Sequence, residues 1–256
     1  MHAARRSPVW VFDLDDTLHH ATPHIFPHIN RAMTAYIERH LALDHAAATA
    51  LRQHYWQRYG ATLLGLIRHH GVDPHHFLAA THNFDDLGSL LITAPALKQT
   101  LHDLPGRRII FSNAPRPYTF EVLRLSGLLP LFDTIYTVES FDFQPKPLRN
   151  GFLKLLQRER VPANRCIMVE DSLANLVMAK RLGMHTVWMT RSLRHSPWVD
   201  HKLRHITDLR YLAYSLQTTN WHRLDVAQTN DENRAHWGQA DYLGPNAELN
   251  AATRRV

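Results

Sequence analysis

The sequence predicts an α/β protein built on a doubly wound, mostly parallel sheet of Rossmann-like type, and three observations carry that expectation. Short apolar runs that fit buried strands recur at 8–12, 108–111, 134–138, 166–169 and 186–189. Helical patterns separate most of them, as the crossovers between parallel strands require. At 256 residues, the chain has room for one large α/β domain and a modest second module.

The first run, Pro8-Val9-Trp10-Val11-Phe12, is β-prone and stops abruptly at Asp13. Residues 117–126 carry Phe120, Leu123 and Leu125 with Gly127 as a C-terminal stop, and 150–160 place Phe152, Leu153, Leu155 and Leu156 on one stripe. Ser172 reads as the N-cap of a helix that ends at Gly183, and 208–216 as one last helix. Between His19 and Ala94 no strand pattern stands out. Ile29, Met33, Tyr36 and Ile37 form a helical stripe there, and Asp44 caps a helix ending at Gly60. A segment over 62–70 stops at Gly71, and Asp73-Pro74 then forms an N-cap and first-turn pair. The expected organisation is an α/β core from 8–18 and 95–217, with an all-helical cap, 19–94, inserted after the first strand and seated over the carboxyl ends of the strands. Residues 218–256, rich in Asn, Gln, Asp and Arg, are expected to be a disordered or loosely packed tail. Trp221, Trp237 and Tyr242 leave room there for docking or an oligomer contact.

Composition narrows the function classes. Hydrophobic residues at 45 % and charged residues at 20 % fit a soluble globular chain, and no apolar run approaches the roughly 20 residues that cross a bilayer. The opening Met-His-Ala-Ala-Arg-Arg is a poor signal peptide because the apolar stretch behind it runs straight into acids. The single cysteine, Cys166, forms no internal disulfide and suits strand packing, so a cytoplasmic location is expected. Lys and Arg exceed Asp and Glu by 29 − 23 = 6, which favours anionic ligands. These cations are scattered rather than gathered on a stripe, so no nucleic-acid partner is expected. The pairs His19-His20, His69-His70 and His75-His76 lack zinc-ligand spacing. His19 and His20 stand apart because they follow the first acidic loop closely enough to meet a ligand.

Chemistry-bearing residues cluster where strands end. Phe12-Asp13-Leu14-Asp15-Asp16-Thr17 places carboxylates at the C-terminal end of the first strand, where open α/β sheets bind ligands. Phe111-Ser112-Asn113 offers a hydroxyl and an amide at the second strand end. Lys146 stands between prolines in Gln144-Pro145-Lys146-Pro147, which restrict where its ammonium points. Val169-Glu170-Asp171-Ser172 adds two acids before a helix. Each segment alone has a plain structural explanation as a turn, a helix start or a solvated charge; the four together, in this order, do not.

In that combination the chain resembles the haloacid dehalogenase superfamily of phosphohydrolases over about residues 8–217. The resemblance implies a Mg²⁺-dependent phosphatase acting on a small phosphorylated metabolite. Asp13 is the implied nucleophile, and Asp15 the acid that protonates the leaving oxygen and later activates water. Lys146 offsets charge, while Ser112 and Asn113 hold phosphate oxygens. Asp13, Asp171 and the carbonyl of Asp15 are the implied metal ligands, with Glu170 joining directly or through water. Halide-removing relatives lack the second acid, so Asp15 favours a phosphate ester.

Within the cap, the run from Tyr55-Trp56-Gln57-Arg58-Tyr59 to Ile67 and the segment His82-Asn83-Phe84-Asp85-Asp86-Leu87 resemble the pyrimidine 5′-nucleotidase branch. This implies UMP, CMP or similar nucleoside monophosphates, with aromatic rings available for stacking. Helix packing accounts for at least two of Tyr55, Trp56 and Tyr59. Sugar-phosphate or phosphoglycolate phosphatases, phosphomutases and a non-catalytic nucleotide-binding protein share the same outline.

Overall fold

Val9, Trp10, Val11 and Phe12 alternate between the faces of a sheet, yet all four are buried. A strand apolar on both faces belongs in the middle of a covered sheet. In the computed structural model, which describes residues 7–218, this strand is β1 (Val9–Phe12), paired with β2 (Arg107–Phe111) on one side and β4 (Cys166–Glu170) on the other. With β3 (Thr134–Tyr136), β5 (His185–Met189) and β6 (His201–Leu203) the order is β3-β2-β1-β4-β5-β6, and every pairing is parallel. The chain builds outward from β1 to β3, then returns to β1's other edge for β4. That reversal opens a crevice at the carboxyl end of β1.

Six helices separate β1 from β2: α1 (Ile25–Leu41), α2 (His45–Tyr59), α3 (Thr62–His70), α4 (Pro74–Thr81), α5 (Leu87–Leu90) and α6 (Leu97–Asp103). The others are α7 (Arg116–Leu125), α8 (Arg149–Glu159), α9 (Leu173–Arg181) and α10 (Leu209–Thr218). On one sheet face Trp10, Phe12, Ile110 and Val169 pack with α6, α7 and α10 through Leu101, Val122 and Leu209. On the other, Val11, Ile109 and Met168 meet Phe152 and Leu155 of α8 and Leu176 of α9.

The first four of the helices after β1 have their own apolar cluster, in which Tyr36, Ile37, Tyr55, Leu66 and Phe77 pack with Val138 from the sheet side. Their boundaries follow local chemistry. Asp44 Oδ1 accepts from the Ala47 N–H at 2.8 Å, and Asp73 Oδ1 from the His76 N–H at 2.9 Å. Gly60 ends α2 in the left-handed conformation that costs glycine least.

Four elements differ from the sequence expectation. The third strand stops at Tyr136 rather than Val138 because the Thr137 N–H turns away to the Ser140 hydroxyl, 3.1 Å away, and Val138 enters a short 3₁₀ turn facing the helical cluster. Strand β6 and the short helices α5 and α6 were not anticipated; β6 has only three residues, His-Lys-Leu, and no β-branched side chain. The expectations for Trp221, Trp237, Tyr242 and the tail lie outside the described residues. Among the described residues, no helix is long and apolar enough to cross a membrane.

Candidate active site

Phe12 is level with Ile110 of β2 and Val169 of β4, so the residues that follow each strand emerge side by side. The Asp13 N–H still bonds to the Val169 carbonyl at 3.0 Å, after which the chain leaves strand geometry. Asp16 enables the turn: it adopts φ 57°, a conformation Asp tolerates better than most side chains. One of its carboxylate oxygens accepts from the N–H groups of Ala21 and Thr22, at 2.8 and 3.0 Å. The loop is thereby fixed with Asp13 and Asp15 both lining one cavity.

Lys146 reaches the same point from a loop far along the chain. Its Nζ donates to Asp13 Oδ1 and to Glu170 Oε2, each at 2.7 Å, and it is 1 % exposed. Burial alone would lower the lysine pKa, but Asp13 and Glu170 outweigh it and hold the ammonium up at about 12. Asn113 positions this lysine: its amide nitrogen donates to the Lys146 carbonyl at 3.0 Å, and its amide oxygen accepts from the Lys146 N–H at 2.7 Å. The sequence suggested Asn113 as a phosphate ligand; its side chain makes both of these bonds to the lysine backbone and also lines the cavity. Ser112 is buried, and its Oγ accepts from the Ala114 N–H, which leaves the hydroxyl proton to donate.

Asp13, Glu170 and Asp171 each present an oxygen within 4.8 Å of the others. Burial first and Glu170 second push Asp13 up to about 8 and Asp171 up to about 10. Three carboxylates face one lysine, an imbalance that a divalent cation held by hard oxygen ligands would correct. The donor set therefore fits Mg²⁺. Glu170 is the most committed of the three, since Oε2 takes the lysine and Oε1 the Ser172 N–H at 3.2 Å. Asp13 and Asp171 remain the better-placed ligands.

Three further contributors were not assigned to the site from the sequence. Tyr118 Oη donates to Asp15 Oδ1 at 2.5 Å, and burial, then Asp15, pushes its hydroxyl well above the usual phenol range. His82 borders the cavity, its pKa lowered by burial to about 4 despite Asp15, so it stands neutral. Arg52 of α2 is held in the cavity wall by Asn30 Oδ1 at 2.7 Å and Thr34 Oγ1 at 3.2 Å. Tyr118 opens a helix just after a strand end, a position that could have marked it. His82 and Arg52 depend on helix packing that no local pattern encodes. His19 does reach the acidic loop, with Nε2 3.0 Å from Asp15 Oδ1. Tyr55 and Tyr59 instead pack in the helical cluster and bond His70 and His69, whereas Trp56 is half-exposed and lines the cavity.

A parallel sheet with carboxylates, a lysine and a hydroxyl gathered at the carboxyl end of its central strand defines an α/β hydrolytic site. The haloacid dehalogenase-like hydrolase family profile matches residues 9–183, and the chain belongs to that family. Among curated relatives, a phosphoglycolate phosphatase from Cereibacter sphaeroides is 29 % identical, the match covering 77 % of this chain and 91 % of the relative. A validoxylamine A 7′-phosphate phosphatase from Streptomyces hygroscopicus is 28 % identical over 39 % of this chain, and this chain spans only 47 % of that relative. Among solved structures, a phosphatase from Thermococcus onnurineus superposes with a TM-score of 0.59 at 23 % identity, covering 80 % of this chain and 97 % of that one. A magnesium-bound hydrolase, YfnB from Bacillus subtilis, gives 0.53 at 19 %, covering 81 % and 99 %. The branch of pyrimidine nucleotidases suggested by the sequence is not among the names these relatives carry.

Proposed function

We propose that the protein is a Mg²⁺-dependent phosphatase that hydrolyses a small phosphate monoester through an aspartyl-phosphate on Asp13. The observation that carries this reading is the convergence of Asp13, Lys146, Glu170 and Asp171 at one strand end beside Asp15. An Asp13 carboxylate oxygen attacks phosphorus, and the ester bond to the leaving group breaks. Asp15 donates its proton to the departing oxygen. Asp15 then takes a proton from water, whose oxygen attacks phosphorus, releasing phosphate and restoring Asp13. Lys146 offsets the charge of nucleophile and phosphate, and Ser112 with neighbouring backbone amides holds the phosphoryl oxygens. Mg²⁺, held by Asp13, Asp171 and the Asp15 carbonyl, would supply the remaining charge neutralisation.

The leaving group we favour is a nucleoside, as in UMP or CMP. Residues 19–94 act as a cap over the core of 8–18 and 95–217, and the cavity between them measures about 670 Å³. That is far more than glycolate occupies and within the usual range for sites that enclose a molecule of nucleoside size. Trp56 and Phe26 present rings to it, and Asn30, Arg52 and Gln53 present donors and acceptors. One observation favours phosphoglycolate as a second reading: the Cereibacter relative so named aligns over nearly its whole length. A phosphate-release screen over nucleoside monophosphates, sugar phosphates and phosphoglycolate, with Mg²⁺ and with EDTA, tests both. Metal-dependent release with nucleotides fastest supports the first reading, and a clear preference for phosphoglycolate replaces it with the second. No release from any ester overturns the phosphatase assignment.

A further inference from the structure

Asp15 must hold one carboxyl oxygen where a leaving group departs, and the Asp16 bonds that fix its loop do not reach the Asp15 side chain. Two donors from elsewhere settle it. Tyr118 Oη and His19 Nε2 both meet Oδ1, at 2.5 and 3.0 Å, and among the described residues no hydrogen bond reaches Oδ2. Both donors are buried, Tyr118 at 3 % and His19 at 3 % exposure, whereas Asp15 lines the cavity. The carboxyl is therefore held through Oδ1, which leaves Oδ2 for chemistry.

Tyr118 also stands at the joint between the two halves of the site. Its ring packs against His82 at 5.6 Å and Phe84 at 5.7 Å, on the segment that returns from the helical layer to the core. Phe84 in turn stacks on His28 of α1 at 4.4 Å. A chain of contacts thus runs from the first helix of that layer, through Phe84 and Tyr118, to the oxygen of Asp15.

We infer that Tyr118, with His19, is a positioning residue that orients Asp15 for proton transfer and ties that orientation to the seating of the helical layer. A buried phenol can bond a carboxylate merely to satisfy its own hydroxyl. That account does not explain why a second buried donor, His19, chooses the same oxygen and leaves Oδ2 unbonded among the described residues.

The inference rests on the phosphatase reading, and its test separates the two. Tyr118→Phe keeps the buried ring and removes only the hydroxyl. With an alkyl phosphate, whose leaving oxygen needs a proton, kcat should fall by about tenfold to 100-fold with KM within about twofold of the parent. With p-nitrophenyl phosphate the leaving group departs unprotonated, so Asp13 should still be phosphorylated quickly. Water activation by Asp15 should then lag, giving a burst of p-nitrophenolate before a slow steady state. His19→Leu removes the other donor and should give the same signature, which decides the matter if Tyr118→Phe fails to fold. An unchanged kcat, a rise in KM alone, or an equal loss in burst and steady state overturns the positioning role. A parent protein that hydrolyses no phosphate ester overturns the phosphatase reading beneath it.

Discussion

Lys146 Nζ and Asp13 Oδ1 lie 2.7 Å apart, joined across 133 residues of chain. The same ammonium bonds Glu170 on the far side, so one buried cation separates two buried carboxylates. Lys146→Met fills much the same volume but leaves those acids facing one another. At a pH where both are ionised and no divalent ion is added, the loss should be about 3–5 kcal/mol, the usual cost of removing one partner from a buried pair. Urea denaturation measures it, and kcat/KM should fall by at least about 100-fold in the same variant. A change of stability near zero would show that the ammonium is not held in this pair.

The raised carboxylates make stability depend on pH in a definite direction. Asp13 and Asp171 are held near 8 and 10, against 3.8 for an ordinary Asp. Between those values the folded chain keeps protons that the unfolded chain has released, so their contribution to stability is complete at low pH. It is lost as pH rises through about 8 and then about 10. The metal-free protein should therefore lose Tm from these groups between about pH 5 and pH 9, and saturating Mg²⁺ should raise Tm more at the upper pH. A thermal-shift series at several pH values, with Mg²⁺ and with EDTA, checks both arms. An equal Mg²⁺ effect at both ends would remove these carboxylates from the binding site.

What the sequence revealed and what it hid follow from the range of the interactions. Val9–Phe12 announces itself because a central strand is apolar on both faces, and Asp44 and Asp73 announce helix starts because capping spans only three residues. Asp13 and Asp171 were legible as candidates because each follows a recognisable strand, and Lys146 because prolines flank it on a loop. Asn113 was legible as a polar residue in the site, but its two bonds to Lys146 were not, since they cross 33 residues. Tyr118 and Arg52 were hidden for the same reason: their partners are brought in by packing between elements. The edge strand β6 was hidden by shortness, having too few residues to show a period.

Asn113 offers a direct test of the lysine's backbone support. Asn113→Ala deletes one donor and one acceptor that hold the Lys146 peptide and adds no charge. The expected cost is about 1–3 kcal/mol in transition-state stabilisation, or roughly tenfold to 100-fold in kcat/KM, with the metal-induced Tm rise retained. If phosphate affinity falls while kcat is preserved, the side chain is a substrate ligand and not a clamp.

Gly65 reports on the packing of the helical layer. A Cβ added there would stand 2.2 Å from Tyr55 Cγ, so α3 meets the ring of α2 only because position 65 has no side chain. Tyr55 is buried in the cluster and bonds His70 at 2.8 Å, which leaves its ring little freedom to move aside. Gly65→Ala should destabilise the protein by about 1–3 kcal/mol, the range for overpacking a filled site. Gly71→Ala, with open space around its Cβ and only the left-handed φ of 63° to oppose it, should cost less. Equal losses would place the effect in the backbone and not in the contact.

Trp56 separates recognition of the leaving group from the chemistry below it. It follows the buried Tyr55 on α2, yet it is 52 % exposed and faces the cavity, where a nucleobase could stack. Removing the ring takes nothing from Asp13, Asp15 or Lys146. Trp56→Ala should therefore raise KM for a nucleoside monophosphate by about tenfold, matching the roughly 1–3 kcal/mol that base–aromatic stacking contributes, with kcat within about twofold. Ribose 5-phosphate, which has no base, should be hydrolysed by parent and variant alike. Steady-state kinetics on the two substrates give the comparison directly. An equal rise in KM for both would assign Trp56 to the seating of the helical layer, and no change for either would remove it from substrate recognition.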